Sequence, residues 1–275
     1  MRLLLLTLAA LPLTAQIRFL PQTSGVQASL RGLAAVNART AWASGTGGTV
    51  LLTTDGATWQ RRPVPGAEAL DFRDIEAFNA RRAILLAAGP GEKSRLYRTR
   101  DGGATWQLLR TNTDPQGFWD AIAFSNEKHG VLLGDPVNGH FVIETTADGG
   151  QTWQRRPTPL RQPTPSAGIF SLALGPGPTA VAVGGDYRQP EQTSQTAAFT
   201  PRHGATWTPA PGLRGYRSGA AFFTRTTVIA VGTNGADLST DGGQTWQPLA
   251  AEGYHAVQRG WAVGAQGRIA RVTLR

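Results

Sequence analysis

Short apolar runs, separated by turns rich in Gly, Pro, Asn and Asp, follow one another along most of the chain. In the first clear unit, the runs "LRGLAAV" (30–36), "TAWASG" (40–45) and "TVLLT" (49–53) precede an acidic turn and "WQRR" (59–62). A later unit has the same order, with "YRSGAAF", "TVIAVG", "ADLST", the turn and "WQPL". Runs of this length bounded by turn residues are typical of β-strands. The pattern predicts an all-β protein built from units of four short antiparallel strands.

The acidic turn itself repeats and sets the period. Three copies agree closely: "TRDGGATW" (99–106), "TADGGQTW" (146–153) and "STDGGQTW" (239–246). Two are weaker: "TTDGATW" (53–59) is one residue shorter, and "TPRHGATW" (200–207) has Arg202 in place of Asp. The repeated tryptophans are Trp59, Trp106, Trp153, Trp207 and Trp246, at steps of 47, 47, 54 and 39 residues. A period of about 40–50 residues is that of four-stranded propeller blades.

The two ends of the chain complete each other. After Trp246 the runs "YHAV", "GWAVG" and "RIARVTL" supply three strands, and the segment "QIRFLPQTSGVQASLRGL" near the start has the layout of a fourth strand leading into a first. We therefore predict a β-propeller of six four-stranded blades, with residues 16–275 as one domain and the ring closed by the N-terminal strand. Closure of this kind removes open sheet edges.

Each residue type that recurs among these turns can have a structural role within the turn itself. Asp55, Asp101, Asp148 and Asp241 can accept hydrogen bonds from backbone N–H groups, and the neighbouring glycines tolerate positive φ. The tryptophans offer flat faces for packing against a neighbouring sheet. One carboxylate per turn is too few for a calcium loop, so we expect a structural turn and no metal site.

These turns resemble the Asp-box, or BNR repeat, of sialidase-like propellers. The segments "FWDAIAF", "GDPVNG", "GIFS", "GGDY" and "GYRS" further resemble a group of exported bacterial propellers labelled "oxidoreductase" or photosystem II stability/assembly-factor-like. The resemblance implies seven blades, so this chain is expected to lack one between Trp153 and Ala167. Because unrelated functions share this fold, the resemblance predicts architecture better than activity.

Composition and the N-terminus bear on location. The segment "MRLLLLTLAALPLTA" (1–15) has one positive charge, an apolar run and a small-residue end, the order of a secretory signal peptide cleaved near Ala15. We expect a periplasmic or secreted protein with no transmembrane segment after cleavage. The chain has no cysteine and a formal charge of +9, almost all from arginine. The arginines are spread along the chain, so we expect no nucleic-acid partner.

Strand direction predicts where a site lies. Successive connections of an antiparallel blade alternate between the two faces of the disc, so the starts of first strands and the loops between second and third strands share the face opposite the Asp-boxes. Polar and aromatic residues gather there and predict a binding site at the channel mouth. The candidates are Arg31, Arg73, Trp119, Asp120, Asp135, Asp186, Tyr187, Tyr216, Arg217, Ser218 and His255.

We interpret the chain as a non-enzymatic binding or assembly scaffold, a monomer without cofactor, that engages a protein segment or a small anionic ligand. Two alternatives remain. A sialidase-like hydrolase would use an arginine triad, for which Arg31, Arg73 and Arg217 are available, with Tyr216 or Tyr254 as nucleophile. An oxidoreductase, as the group's label suggests, would need a cofactor for which the sequence has no motif.

Overall fold

The computed structural model describes residues 17–138, 140–157, 166–175, 177–201 and 206–274. These residues form six four-stranded antiparallel sheets, which confirms the predicted all-β propeller. One short 3₁₀ helix, Gly91–Lys93, lies between two strands of the second sheet. The predicted signal peptide, residues 1–15, lies outside the described residues. In the described part of the chain, no helix is long and apolar enough to cross a membrane.

The strands are numbered β1 to β24 in chain order. Blade 1 contains β2 (Leu30–Ala35), β3 (Ala41–Gly45), β4 (Thr49–Thr53) and β5 (Gln60–Arg61). Blade 2 contains β6 (Asp71–Ala77), β7 (Ala83–Ala88), β8 (Arg95–Thr99) and β9 (Gln107–Thr111). Blade 3 contains β10 (Trp119–Phe124), β11 (Gly130–Val137), β12 (His140–Thr146) and β13 (Gln154–Arg156).

The remaining blades repeat this order. Blade 4 contains β14 (Ala167–Leu174), β15 (Ala180–Asp186), β16 (Ala197–Thr200) and β17 (Thr208–Pro209). Blade 5 contains β18 (Gly219–Phe222), β19 (Val228–Gly232), β20 (Gly235–Ser239) and β21 (Gln247–Leu249). Blade 6 contains β22 (Ala256–Gln258), β23 (Trp261–Val263), β24 (Ile269–Leu274) and β1 (Ile17–Gln22).

The last sheet confirms the predicted ring closure. Strand β1 pairs antiparallel with β24, from Ile17 opposite Leu274 to Gln22 opposite Ile269. The Phe19 ring also stacks on Tyr254, with 5.0 Å between ring centroids. The N-terminal strand therefore supplies both a sheet edge and a core side chain to blade 6.

Burial within each blade follows strand position. The second strands are the most apolar, and all residues of β7 (AILLAA) are buried because both of its faces pack against neighbouring blades. The fourth strands form the outer wall of the disc, and every residue of the short strands β5 and β13 is exposed. The core lies between the blades.

Buried apolar clusters join five pairs of neighbouring blades: 6 with 1, 1 with 2, 2 with 3, 4 with 5, and 5 with 6. We call each of these a closed boundary. At four of them the Asp-box tryptophan of the later blade packs against the earlier blade; these are Trp59, Trp106, Trp153 and Trp246. Each box thus helps to close the boundary that precedes it.

The boundary between blades 3 and 4 is different, and we call it the open boundary. Among the described residues, no buried apolar cluster joins these two blades. Ile169, Leu172 and Leu174 of blade 4 are 76%, 57% and 75% exposed, and Leu133 of blade 3 is 44% exposed. A missing blade was expected here from the sequence, although residues 158–165 of the connecting segment lie outside the described residues.

Candidate functional site

The Asp-box turns are held by their own side chains. Asp148 accepts hydrogen bonds from the backbone N–H groups of Gln151 and Thr152, at 3.0 and 2.9 Å, and from the Thr152 hydroxyl at 2.6 Å. The hydroxyl and N–H of Thr152 lower the pKa of Asp148 to about 2. At the start of the turn, Thr146 Oγ1 accepts the Gly150 N–H at 2.9 Å. These contacts account for the carboxylate without a ligand.

The other turns repeat these bonds. The carboxylates of Asp55, Asp101 and Asp241 each accept an N–H from the threonine that precedes the box tryptophan, at 2.7, 2.9 and 3.0 Å. Gly102 and Gly103 have φ of 78°, a backbone conformation that favours glycine. In the fourth box, residues 202–205 lie outside the described residues, so Arg202 is not placed.

Two arginines of neighbouring inner strands mark the opposite mouth of the channel. Arg31 of β2 donates to Asp71 at 2.9 Å, and Arg73 of β6 lies 3.6 Å from the Asp120 carboxylate. Their side chains are 36% and 30% exposed. The Nε atom of Arg31 is buried and has no hydrogen-bond partner. Each guanidinium is positioned by one carboxylate, and its exposed part is available to a further acceptor.

Carboxyl groups lie beside and below these arginines. Burial raises the pKa of Asp120 to about 7, Arg73 opposes that rise, and the neighbouring Asp135 carboxylate adds to it. Burial also raises the pKa of Asp74 to about 6, although its carboxylate accepts the Ile122 N–H of blade 3 at 2.9 Å. For Glu76, burial and then the charge of Asp74 raise the pKa to about 8. Burial thus raises the pKa of all three carboxyl groups above the usual range.

Aromatic side chains form the other side of the mouth. The Phe170 ring contacts both Tyr216 and Tyr187 edge-on, with centroids 5.1 and 6.1 Å apart. Tyr187 is 48% exposed, whereas Tyr216 is buried. Burial raises the pKa of the Tyr216 phenol, and Arg73 and Arg31 lower it, so the phenol lies within the field of both arginines. The mouth thus combines cationic and aromatic groups.

His255, which immediately precedes β22 of blade 6, lies within the electrostatic field of the same two arginines. Burial lowers the pKa of its imidazole, and the charges of Arg31, Arg268 and Arg73 lower it further. Its Nε2 atom lies 3.3 Å from Ser29 Oγ. Its backbone oxygen accepts the Ser218 hydroxyl at 2.8 Å, so Ser218 ties blade 5 to blade 6. The imidazole is therefore neutral near pH 7 and able to accept or donate one hydrogen bond.

Arg217 does not fit the ligand contact expected from the sequence. Its side chain is fully buried and forms an ion pair with Asp237, with Nε 2.7 Å from Oδ2. Its Nη1 atom donates to Asn234 Oδ1 and to the Tyr216 carbonyl, at 2.7 and 2.8 Å. Loss of one partner from such a buried pair is strongly destabilising. The structure gives Arg217 the position of a structural residue inside blade 5.

Two further candidates lie below the surface of the mouth. Trp119 is 2% exposed and packs in the closed boundary between blades 2 and 3, with the Arg110 guanidinium 4.8 Å from its ring centroid. Asp186 is buried at the end of β15 and accepts the Arg188 N–H at 2.8 Å. Hydrogen bonding to Ser166 and to that N–H lowers its pKa despite burial. Both residues support the mouth from within.

Sequence reasoning missed Asp237. It lies on β20, the strand that follows β19, and the sequence pattern did not distinguish it from other strand residues. In the structure it is fully buried and pairs with both Arg217 and Arg214. A charged residue in the middle of an otherwise apolar strand was the available signal, because such a residue requires a partner when buried.

The alternatives can be compared with this geometry. With Arg217 enclosed by Asp237, the three arginines of the suggested triad do not present their guanidinium groups to one ligand. Tyr254 is buried against Phe19. Within the described residues, no group of three or more His, Cys, Asp or Glu side chains is arranged to hold a metal ion. The exposed groups of the mouth are Arg31, Arg73 and Tyr187.

Fold and turns together define the class: the chain is a six-bladed β-propeller with Asp-box turns. The BNR/Asp-box repeat family matches residues 238–248. No curated protein matches the chain in sequence.

Solved structures extend the comparison over nearly the whole fold. YCF48 bound to D1 peptide has a TM-score of 0.59 at 16% identity, over 95% of this chain and 96% of that chain. YCF48 from Cyanidioschyzon merolae has a TM-score of 0.57 at 17% identity, over 94% and 98%. XC5397 from Xanthomonas campestris, described as a gluconolactonase, has a TM-score of 0.60 at 13% identity, over 95% and 90%. At these identities, the similarity is one of fold.

Proposed function

We propose that the chain is an exported, non-enzymatic β-propeller that holds a segment of a partner protein at the channel mouth opposite the Asp-boxes. The observation that carries the proposal is the pair Arg31 and Arg73, which are held by carboxylates yet remain about one-third exposed. An arginine offers a planar fork of donors that suits a carboxylate. A side-chain or terminal carboxylate of the bound segment is the acceptor that this pair recognises.

The aromatic side of the mouth supports a polypeptide ligand over a free small anion. Tyr187 is half-exposed beside Phe170 and offers apolar area next to the arginines. Aromatic residues and arginines together are typical of residues that dominate protein interfaces. The neighbour YCF48 bound to D1 peptide has the same fold and a peptide ligand, which agrees with this choice. The N-terminal segment 1–15 supports export.

The proposal is tested with an array of synthetic acidic decapeptides, followed by calorimetry of the best binder. The double variant Arg31→Gln, Arg73→Gln is expected to weaken binding at least tenfold, or about 1.4 kcal/mol. The control Arg39→Gln removes the same type of charge from an exposed loop on the Asp-box face. Equal losses in both variants would reduce the effect to net charge and overturn the proposed site. If acetate alone matched the peptide in affinity, the ligand would be a small anion.

A further inference from the structure

The open boundary leaves one face of blade 3 without a neighbour. Residues 130–134 and 142–146 alternate in burial: Leu132 and Val142 are buried against blade 2, whereas Leu133 is exposed and Ile143 half-buried on the other face. Leu133 and Ile143 are direct cross-strand partners. Blade 3 therefore has an apolar sheet face that points toward blade 4 and is only partly covered.

Blade 4 presents the opposing face. Leu172 and Leu174 of β14 pair with Ala182 and Ala180 of β15. The two leucines are more than half exposed, and the two alanines beside them are buried. On the reverse side of the same sheet, Val181 and Val183 are buried against blade 5. Blade 4 is thus built like the other blades but is covered on one side only.

The exposure of Trp207 also indicates that the open boundary is not filled by packed side chains. The other four Asp-box tryptophans pack against the preceding blade, whereas Trp207 is 43% exposed. Exposed apolar patches of several hundred Å² on a soluble protein mark interaction sites. By its position in the blade, Trp207 corresponds to tryptophans that pack against the preceding blade, which here is blade 3.

We propose that the open boundary binds a β-strand or hairpin of a partner protein in which apolar residues run consecutively and are followed by a carboxylate. Successive side chains of an inserted strand point to opposite sides. Because both sides here are apolar, the segment needs an unbroken apolar run, as buried strands have. Arg156 is the cross-strand partner of Ile143 on the partly covered face, and its cation suits an acidic residue at the outer end of the segment.

Other occupants fit less well. The connecting residues 158–165, "TPLRQPTP", contain three prolines and one large apolar residue, and proline cannot donate to a strand ladder. A folded second copy would present an outer wall, which includes the polar strands Gln60–Arg61 and Gln154–Arg156 and is too thick to enter between two sheets. A thin apolar segment is the occupant whose shape and chemistry match two facing sheet surfaces.

The probe is a fluorescent peptide, Thr-Val-Ile-Ala-Val-Glu-Glu, compared with Thr-Val-Thr-Ala-Thr-Glu-Glu, in which the apolar run is interrupted. Fluorescence anisotropy is expected to show saturable binding of the first peptide and at least tenfold weaker binding of the second. Leu172→Glu is expected to weaken the first peptide at least tenfold. The matched control Leu108→Glu changes a leucine of similar exposure, 48%, on blade 2, and should leave binding unchanged.

Three results would overturn the proposal. One is equal affinity for both peptides or for both variants. Another is a dimer in light scattering that Leu172→Glu dissociates, which would make a second copy the occupant. The third uses the absence of native cysteine: rapid disulfide formation in monomeric Leu133→Cys, Leu172→Cys without peptide would mean that blades 3 and 4 close on each other. Arg156→Glu, which should weaken the acidic peptide severalfold, tests the carboxylate separately.

Discussion

The boundary between blades 4 and 5 and the boundary between blades 3 and 4 differ in the burial of the box tryptophan. Trp246 is 7% exposed at the first, and Trp207, the corresponding residue of blade 4, is 43% exposed. The box of Trp246 is complete, whereas the box of Trp207 has Arg202 in place of Asp. The buried tryptophan is the one that packs against a preceding blade. An Asp-box supplies a face for packing, and its contribution depends on whether another sheet is there to meet it.

Side-chain hydrogen bonds also join neighbouring blades at the closed boundaries. At closed boundaries, side chains of one inner strand bond to the backbone of the next: Ser171 accepts the Ala220 N–H at 3.0 Å, and Gln258 accepts the Ala35 N–H at 2.6 Å. Asp74 does the same for Ile122 between blades 2 and 3. A closed boundary thus combines apolar burial with at least one directional bond.

The largest effect is expected from opening a second boundary. Deletion of residues 16–24 removes β1, exposes the edge of β24 and takes Phe19 away from Tyr254. An unpaired edge is a template for aggregation, so the truncated chain should aggregate or unfold at 25 °C. Size-exclusion chromatography and circular dichroism measure this, with a deletion of residues 2–15 as the control. A monomer of unchanged stability would contradict the closing role of β1.

A smaller effect separates the two tryptophans directly. Trp246→Ala empties a buried site and should reduce the free energy of unfolding by roughly 3–5 kcal/mol. Trp207→Ala removes a side chain that is nearly half exposed and should cost less than about 1 kcal/mol. Urea unfolding of the two variants gives the comparison. Similar losses would mean that Trp207 is covered in solution and that the boundary between blades 3 and 4 is closed there.

The sequence predicted the repeating parts of the molecule better than the exceptions. The spacing of the tryptophans and the matching chain ends sufficed for six blades and ring closure, because both depend on local patterns repeated many times. The position of Arg217 was misread because its partner Asp237 is 20 residues away and meets it only after the blade folds. The expected absence of a blade was placed between Trp153 and Ala167, but the exposure of both flanking sheets depends on three-dimensional packing that no local pattern contains.

The smallest effect concerns pH and two carboxyl groups of β6. There the folded chain raises the pKa of Asp74 to about 6 and that of Glu76 to about 8, chiefly by burial. A carboxyl group whose pKa is higher in the folded than in the unfolded state stabilises the fold when protonated. That stabilisation is complete below about pH 4 and is lost as the pH rises through about 6 for Asp74 and about 8 for Glu76.

The chain should therefore have a lower free energy of unfolding at pH 9 than at pH 7, a range above the titration of His255, whose pKa is lowered. Glu76→Gln keeps an uncharged polar group of the same size and should recover roughly 1–2 kcal/mol at pH 9, since one pKa unit corresponds to about 1.4 kcal/mol. Glu252→Gln, at a carboxylate whose side chain is 72% exposed, is the control and should change the pH dependence little. Melting temperatures of the three proteins at pH 7 and 9 measure the difference. If Glu76→Gln left the change in melting temperature between pH 7 and pH 9 as it is in the unsubstituted protein, Glu76 would be ionised and solvated in the folded chain.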